Sequence, residues 1–435
     1  MQLNNSKVIN AWCMYDWANS VYSLVITSAI FPIYYNAVTT GVDGSDRVDF
    51  FGLEISNSVL YSYSLSFSFL FVAAILPILS GIADYSGKKK FLMKLFVYLG
   101  SFSCMGLYFF TGDNIEWAIL CSVLASIGYS GSLVFYDAFL PEIATEDRFD
   151  KISAKGYSLG YIGSVILLIV NLVMIEMFDV FWFEDKGTAT RFAFLLVGVW
   201  WLAFSQITFL RLPDNVHNLK PKNNVFTEGY KELKKVWYAV KEERMTKLFL
   251  LAFFFYNMGV QTVMYLAATF GSKELQLDSA KLILTVLIIQ LVAIGGAYLF
   301  AHISNLKGNK FSLLLMVFIW IFVCLGAYFV YSENEFFLLA FVVGLVMGGI
   351  QSLSRSTFAK LIPENTIDNA SYFSFYDVTY NLSIVVGTFC YGIIDQITNS
   401  MRNSTLALML FFAVGMGFLI LLKLPKSSKL EPKKA

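Results

Sequence analysis

Twelve apolar runs, most of them about 20 residues or longer, follow one another along this chain, and that feature constrains its fold more than any other. They cover 8–36, 59–84, 91–111, 115–140, 156–178, 191–212, 246–270, 280–304, 311–331, 336–360, 370–395 and 404–424. A helix rises ~1.5 Å per residue, so each run can cross the hydrocarbon core of a bilayer. With 57% hydrophobic and 14% charged residues and a mean hydropathy of +0.63, the whole 435-residue chain reads as an all-α integral membrane protein.

The basic residues orient it. If the N-terminus is cytoplasmic, 26 of the 32 Lys and Arg fall in inner loops, and both termini are expected inside. The first run is too long for the core of a cleavable signal peptide and is expected to act as the targeting signal. Basic residues spread over many loops give no nucleic-acid surface. The cysteines, Cys13, Cys104, Cys121, Cys324 and Cys390, are isolated within apolar runs, so neither a disulfide framework nor a metal site is expected. His217 and His302 form no paired-histidine motif, and no Gly-flanked nucleophile or Walker motif occurs, so neither an enzyme nor an ATP-driven pump is expected. No cofactor is called for.

A carboxylate inside the first run needs a reason. At 100° per residue Asp16, Asn19, Ser20, Ser23 and Thr27 share a face, while Val21, Leu24, Val25 and Ile26 fall mostly elsewhere. Such a polar stripe belongs against other helices or a water-filled cavity rather than lipid. The outer loop 36–57, with Asp43, Asp46, Asp49 and Glu54, reads as a plain solvated loop.

Three echoes divide the chain. Ile82-Ala83-Asp84-Tyr85-Ser86-Gly87-Lys88-Lys89 returns as Ile303-Ser304-Asn305-Leu306-Lys307-Gly308-Asn309-Lys310. Leu140-Pro141-Glu142 returns as Ile362-Pro363-Glu364, and Leu210-Arg211-Leu212-Pro213 as Leu422-Lys423-Leu424-Pro425. All fall at inner ends of spans paired as n and n + 6. They predict two six-helix halves, 1–212 and 246–424, related by an axis along the membrane normal, with a cavity between them, a linker at 213–245 and a tail at 425–435. In the linker Phe226, Tyr230, Leu233, Trp237 and Val240 recur at helical spacing, with Lys231, Lys234, Lys235 and Lys241 on other faces, which predicts an amphipathic helix on the inner leaflet.

Spans one, four, seven, ten and eleven hold most of the intramembrane polar groups. Tyr15, Asp16, Asn19, Tyr129, Asn257, Gln261 and Gln351 are the candidates for substrate binding and coupling. Arg355 lies well inside span ten, and an unpaired guanidinium there is costly, so Asp377, Asp137 or Asp16 is expected to pair with it. An inner gate, capture of a substrate carboxylate and static packing all remain open for Arg355. For Asp16 the open roles are proton carrier, ligand of a substrate ammonium and gate partner. Asp84, Lys88 and Lys89, with Arg355, Asp377 and Asp137, complete the gating candidates. Glycines at 156, 160 and 163 and at 344, 348 and 349 are expected to let helices pack closely.

The 81–90 turn resembles the signature loop of the major facilitator superfamily, although Ser80 stands where that pattern has glycine and Tyr85 where it has arginine. More of the chain resembles the unknown-major-facilitator family, relatives of the fungal autophagy-related vacuolar amino-acid effluxers. The resemblance rests on Tyr15-Asp16-Trp17-Ala18-Asn19-Ser20, Gly156-Tyr157-Ser158-Leu159-Gly160-Tyr161, Gly349-Ile350-Gln351-Ser352-Leu353-Ser354-Arg355-Ser356 and Phe373-Ser374-Phe375-Tyr376-Asp377. It implies a secondary transporter in which spans one, four, seven and ten line the cavity, with amino-acid efflux as the best-known activity. The expected protein is a monomer of a bacterial plasma membrane that moves a small polar molecule, with H+ as the coupling ion and lipids as its surroundings. A lipid or amphipathic-solute translocase, or a non-transporting receptor on the same fold, are the alternatives.

Overall fold

The computed structural model describes residues 2–41, 44–221, 223–364, 366–398 and 400–424. The tail, and Asp43 of the outer loop, lie outside the described residues. Among them are twelve membrane-length helices: Ser6–Thr39, Asn57–Ser86, Lys89–Phe109, Ile115–Ile143, Glu146–Glu176, Lys186–Arg211, Arg244–Leu275, Ala280–Lys307, Asn309–Phe329, Glu333–Leu361, Asn369–Thr398 and Met401–Leu421, called spans one to twelve. A thirteenth, the linker helix Val225–Glu242, separates spans six and seven.

Helix contacts reproduce the internal repeat. In the first half span one packs on span six, three on six, three on four and two on four. In the second, seven packs on twelve, nine on twelve, nine on ten and eight on ten. Each pair of the second set is the first shifted by six spans, the internal repeat that the sequence echoes predict. Close backbone approach makes some of these pairs tight: a Cβ on Gly348 of span ten would come within 2.1 Å of the Ala293 carbonyl oxygen of span eight.

The compact units do not follow chain order. One comprises Met1–Ile143, Leu159–Val236 and Thr366–Val385; the other comprises Ala144–Ser158, Trp237–Asn365 and Val386–Ala435. The N-terminal part of span five therefore belongs to the second unit, and the N-terminal part of span eleven to the first.

Three local features depart from the sequence reading. Span one is helical at Ser6–Val21, widens into a π-helical stretch at Tyr22–Ala29 and resumes at Ile30–Thr39. Its apolar residues are not turned to lipid: Val21, Leu24, Val25 and Ile26 are buried along with Asp16, Asn19 and Thr27, so protein surrounds the span on most sides. The outer loop is more than a solvated connection, since Arg47–Phe50 pairs antiparallel with Leu53–Ser56. Phe51 and Gly52 both adopt positive φ, 53° and 82°, and Asp49 Oδ1 accepts the Gly52 N–H at 2.8 Å, a local turn geometry with no strong sequence signal.

Candidate functional site

The first unit builds its polar centre around Asp16. Span one carries the carboxylate, 5% exposed, and Tyr136 of span four donates its hydroxyl to Asp16 Oδ2 at 2.8 Å. Tyr136 is itself fixed: Trp12 Nε1–H donates to its carbonyl at 2.9 Å and the two rings stack at 4.4 Å. Tyr15 donates to Ser132 Oγ at 2.6 Å, and its ring lies 4.7 Å from that of Tyr136. Gly160 makes this packing possible, because a Cβ there would lie 2.4 Å from Ser20 Oγ and 3.1 Å from the Asp16 carbonyl oxygen. One turn further along span one, Tyr22 meets Tyr129 at 4.9 Å and Trp201 at 5.9 Å.

Among the buried side-chain atoms of this unit that have no hydrogen-bond partner in the structure are Asn19 Nδ2 and Asp377 Oδ2. Leaving such groups unsatisfied costs ~1–3 kcal/mol each, more for a charge, and the cost is sustained where a ligand or a change of state satisfies them. Asp137 of span four, 5% exposed, and Asp377 of span eleven, 4% exposed, are further buried carboxylates of this unit.

The second unit carries the amides and the arginine. Gln261 donates to Asn257 Oδ1 at 3.2 Å, and both side chains are 4% exposed. Tyr256 and Ser354 share a hydrogen bond of 2.7 Å, and Gln351 is half-buried. Arg355, 1% exposed, donates through Nε to Ser153 Oγ at 2.9 Å and through a terminal nitrogen to the Ser153 carbonyl at 3.1 Å. Its guanidinium lies 4.3 Å from the centre of the Tyr157 ring. Ser153 is held in turn, donating to the Ser352 carbonyl at 2.7 Å.

Around the 81–90 turn the first unit holds a latch. Asp84, at the last turn of span two, accepts the backbone N–H groups of Ala370 at 3.1 Å and Ser371 at 2.7 Å, the open N-terminus of span eleven. Lys89 lies 3.8 Å from Asp84 and makes a short ion pair with Glu142, which also accepts from Asn369 Nδ2 at 3.2 Å. Lys90 donates to the Leu212 carbonyl at 2.8 Å and pairs with Asp214 at 2.9 Å, whereas Lys88 is exposed. Lys235 of the linker helix pairs with Asp368 at 2.6 Å. Burial opposes the charge of Lys235, but its carboxylate partners Asp368 and Glu232 more than offset that and raise its pKa. The second unit has its own polar cluster: Asp150 accepts from Ser304 at 2.9 Å, Asn309 at 2.8 Å and Lys360 at 2.8 Å.

Tyr136, Ser153, Tyr157, Glu142, Asn369, Lys90 and the Asp150 cluster carry no role in the sequence reading. Tyr157, Glu142 and Lys90, with Ser304 and Asn309 of the Asp150 cluster, do fall inside motifs singled out there: the span-five glycine motif, the Leu-Pro-Glu echo, the 81–90 turn and its echo at 303–310. The others become visible only when distant spans are brought together.

Twelve spans in two repeated halves, each with a buried polar centre, define an integral membrane transporter of the major facilitator superfamily. The solved structures agree on the fold. The proton:xylose symporter XylE superposes with a TM-score of 0.72 at 14% identity, over 96% of this chain and 95% of its own. The human organic anion transporter MFSD10 does so with 0.71 at 11%, over 96% and 100%. A family model described as vacuole effluxer Atg22 like matches residues 4–431, and the chain belongs to that family. It is 31% identical to the uncharacterized MFS-type transporter YxiO of Bacillus subtilis, over 94% of this chain and 93% of that protein. It is 24% identical to autophagy-related protein 22 of Kluyveromyces lactis, over 84% and 79%.

Proposed function

We propose that this transporter is a proton-coupled secondary carrier that moves a small polar solute of the amino-acid class across a bacterial plasma membrane by alternating access. The observation that carries the reading is Asp16, a carboxylate buried at membrane depth and held by the Tyr136 hydroxyl. A carboxylate in such a setting is costly unless it serves a substrate or ion pathway. Its proton affinity depends on solvation and on neighbouring charge, so a movement that rewets it changes its proton occupancy. The amide pair Asn257 and Gln261, with Asn19, Tyr15, Tyr129 and Gln351, supplies donors and acceptors suited to an amino group and a carboxylate. Arg355, cradled by Ser153 and Tyr157, and the buried carboxylates Asp377, Asp137 and Asp16 supply the charges from which a gate could be built. The family's description as an effluxer supports export as the direction.

The aromatic packing of Tyr22, Tyr129 and Trp201 favours a second reading, translocation of an amphipathic or lipid-like solute. Two measurements separate them. Purified protein is screened against amino acids, peptides, nucleosides and sugars for a raised unfolding temperature, because a ligand of the folded state stabilises it. Counterflow of the radiolabelled hit into proteoliposomes then tests transport. Stabilisation and counterflow by amino acids are expected. Their absence, with accelerated movement of a labelled phospholipid between leaflets, overturns the amino-acid reading in favour of the second.

A further inference from the structure

Between span six and the linker helix, residues 213–221 fold back over the 81–90 turn as a strap. Lys90 fixes its start by donating to the Leu212 carbonyl at 2.8 Å and pairing with Asp214 at 2.9 Å. Asn215 closes the strap on itself, donating to the Leu219 carbonyl at 2.9 Å and accepting the Leu219 N–H at 3.0 Å. The same side chain presses on the turn at Gly87, whose φ is 69° and where a Cβ would lie 2.6 Å from Asn215 Cγ. The strap brings His217 to Glu142. Its Nε2 lies 3.7 Å from Glu142 Oε1, just beyond a hydrogen bond, and its side chain is 34% exposed against 2% for Glu142. Glu142 Oε2 is among the buried side-chain atoms without a hydrogen-bond partner. A cavity of about 10 Å³, space for about one water, lies among Asp84, Lys89, Glu142, Asn215 and His217.

The charges around the imidazole do not balance. They come from span two (Asp84), span three (Lys89 and Lys90), span four (Glu142), the strap (Asp214) and the approach to span eleven (Asp368, next to Ile367 of the cavity wall). Lys90 is paired with Asp214 and Lys235 with Asp368, so Asp84 and Glu142 face Lys89. All three of these side chains are buried, and one negative charge is left over, which is costly as long as span eleven keeps them buried. Protonation of His217 supplies the missing cation beside the unpartnered Glu142 oxygen, and histidine is the side chain that ordinarily changes charge between pH 5 and 8. We propose that His217 is a proton sensor of the latch: its imidazolium pairs with Glu142 and holds span eleven latched, and its deprotonation loosens the latch. Such latching is present at low pH and lost as pH rises through the imidazole range. A latch governed by its carboxylates alone has the opposite sign, because their charge grows with pH. The sensor regulates the transport proposed above and requires no role for Asp16.

Hydrogen exchange on the full-length protein in phosphatidylcholine nanodiscs reads the latch through the Ala370 and Ser371 amides, which donate to Asp84. Rates at pH 6 and pH 8 are divided by the intrinsic rate at each pH, and the Thr188 amide at the start of span six, bonded to Asp185, serves as reference. An ion pair with one partner about one-third exposed is worth more than a surface pair and less than a buried one, so wild type is expected to show about threefold to tenfold stronger protection at pH 6 than at pH 8. His217→Gln is expected to lose that difference. His217→Lys, cationic at both pH values, is expected to keep the strong protection at pH 8, and it carries the test if the first variant folds poorly. Protection in wild type that does not change with pH, or that changes equally in His217→Gln, overturns the sensor. So does a fall in His217→Lys equal to that of wild type. Because span eleven is measured and not transport, such a result leaves the transport reading standing.

Discussion

Asp84→Asn tests the latch most sharply. The carboxylate makes two charge-assisted bonds to span eleven, to Ala370 N–H and Ser371 N–H, and stands 3.8 Å from Lys89. Bonds of this kind contribute about 1.5–3 kcal/mol each. A carboxylate at a helix N-terminus adds roughly 0.3–2 kcal/mol through the helix dipole. Asparagine keeps one acceptor but loses the second bond and the charge, and Lys89 keeps Glu142 as a partner. The expected loss is therefore about 2–4 kcal/mol of the latched arrangement, a shift of roughly 30- to 1,000-fold in the equilibrium between latched and released span eleven. Spin labels at the exposed Lys88 and Glu364, read by pulsed dipolar spectroscopy in nanodiscs, report the separation. A new, longer population is expected in Asp84→Asn and not in the same doubly labelled protein carrying native Asp84. An unchanged distance distribution would show that the two backbone bonds do not hold span eleven and would refute the reasoning.

Three other outcomes follow from the same geometry. Tyr157→Leu removes the ring lying 4.3 Å from the Arg355 guanidinium and is expected to cost about 1–2 kcal/mol, visible as a lower unfolding temperature, while Arg355→Leu/Tyr157→Leu costs less than the two single changes added together. Strictly additive effects would show that ring and guanidinium are not coupled. Ala340→Val grows into an apolar cavity of about 60 Å³ lined by Phe270, Cys324, Phe336 and Leu408, and is expected to stabilise the protein by about 1 kcal/mol; destabilisation would show that the cavity is not free space. Asp185 caps span six by accepting the Thr188 N–H at 2.6 Å, a bond that holds its carboxyl below the usual range. A depressed folded pKa means stability present above the unfolded value, about 3.9, and lost as pH falls through the folded one, so Asp185→Asn is expected to lose less unfolding temperature than wild type between pH 5 and pH 3. Equal losses would remove the cap from the acid sensitivity.

Much of the fold is legible in the sequence because lipid imposes it: only a helix satisfies its own backbone within the bilayer, and a run of sufficient length declares itself. The repeat is legible because Asp84, Glu142 and their echoes recur at equivalent ends of spans. The identity of Asp16 as an exceptional residue is legible from its charge. Its partner is not. Tyr136 lies 120 residues away and is an ordinary amphipathic tyrosine until spans one and four are packed. Arg355 illustrates a second limit: Ser153 and the face of Tyr157 also hold its guanidinium, and neither leaves a charge pattern in the sequence. The linker helix shows a third, since hydrophobic periodicity does not distinguish residues packed on protein, such as Leu233 and Val240, from aromatics turned outward, such as Phe226 and Trp237.

The central claim, proton coupling through Asp16, is tested most directly in proteoliposomes with an imposed pH gradient, comparing wild type with Asp16→Asn. Asparagine preserves the size of the side chain and an acceptor for the Tyr136 hydroxyl but fixes the neutral form. With the substrate identified by the stabilisation screen, the account predicts that the variant loses gradient-driven accumulation yet retains a measurable part of substrate exchange. Full accumulation by Asp16→Asn would contradict it and leave Asp16 outside the coupling step.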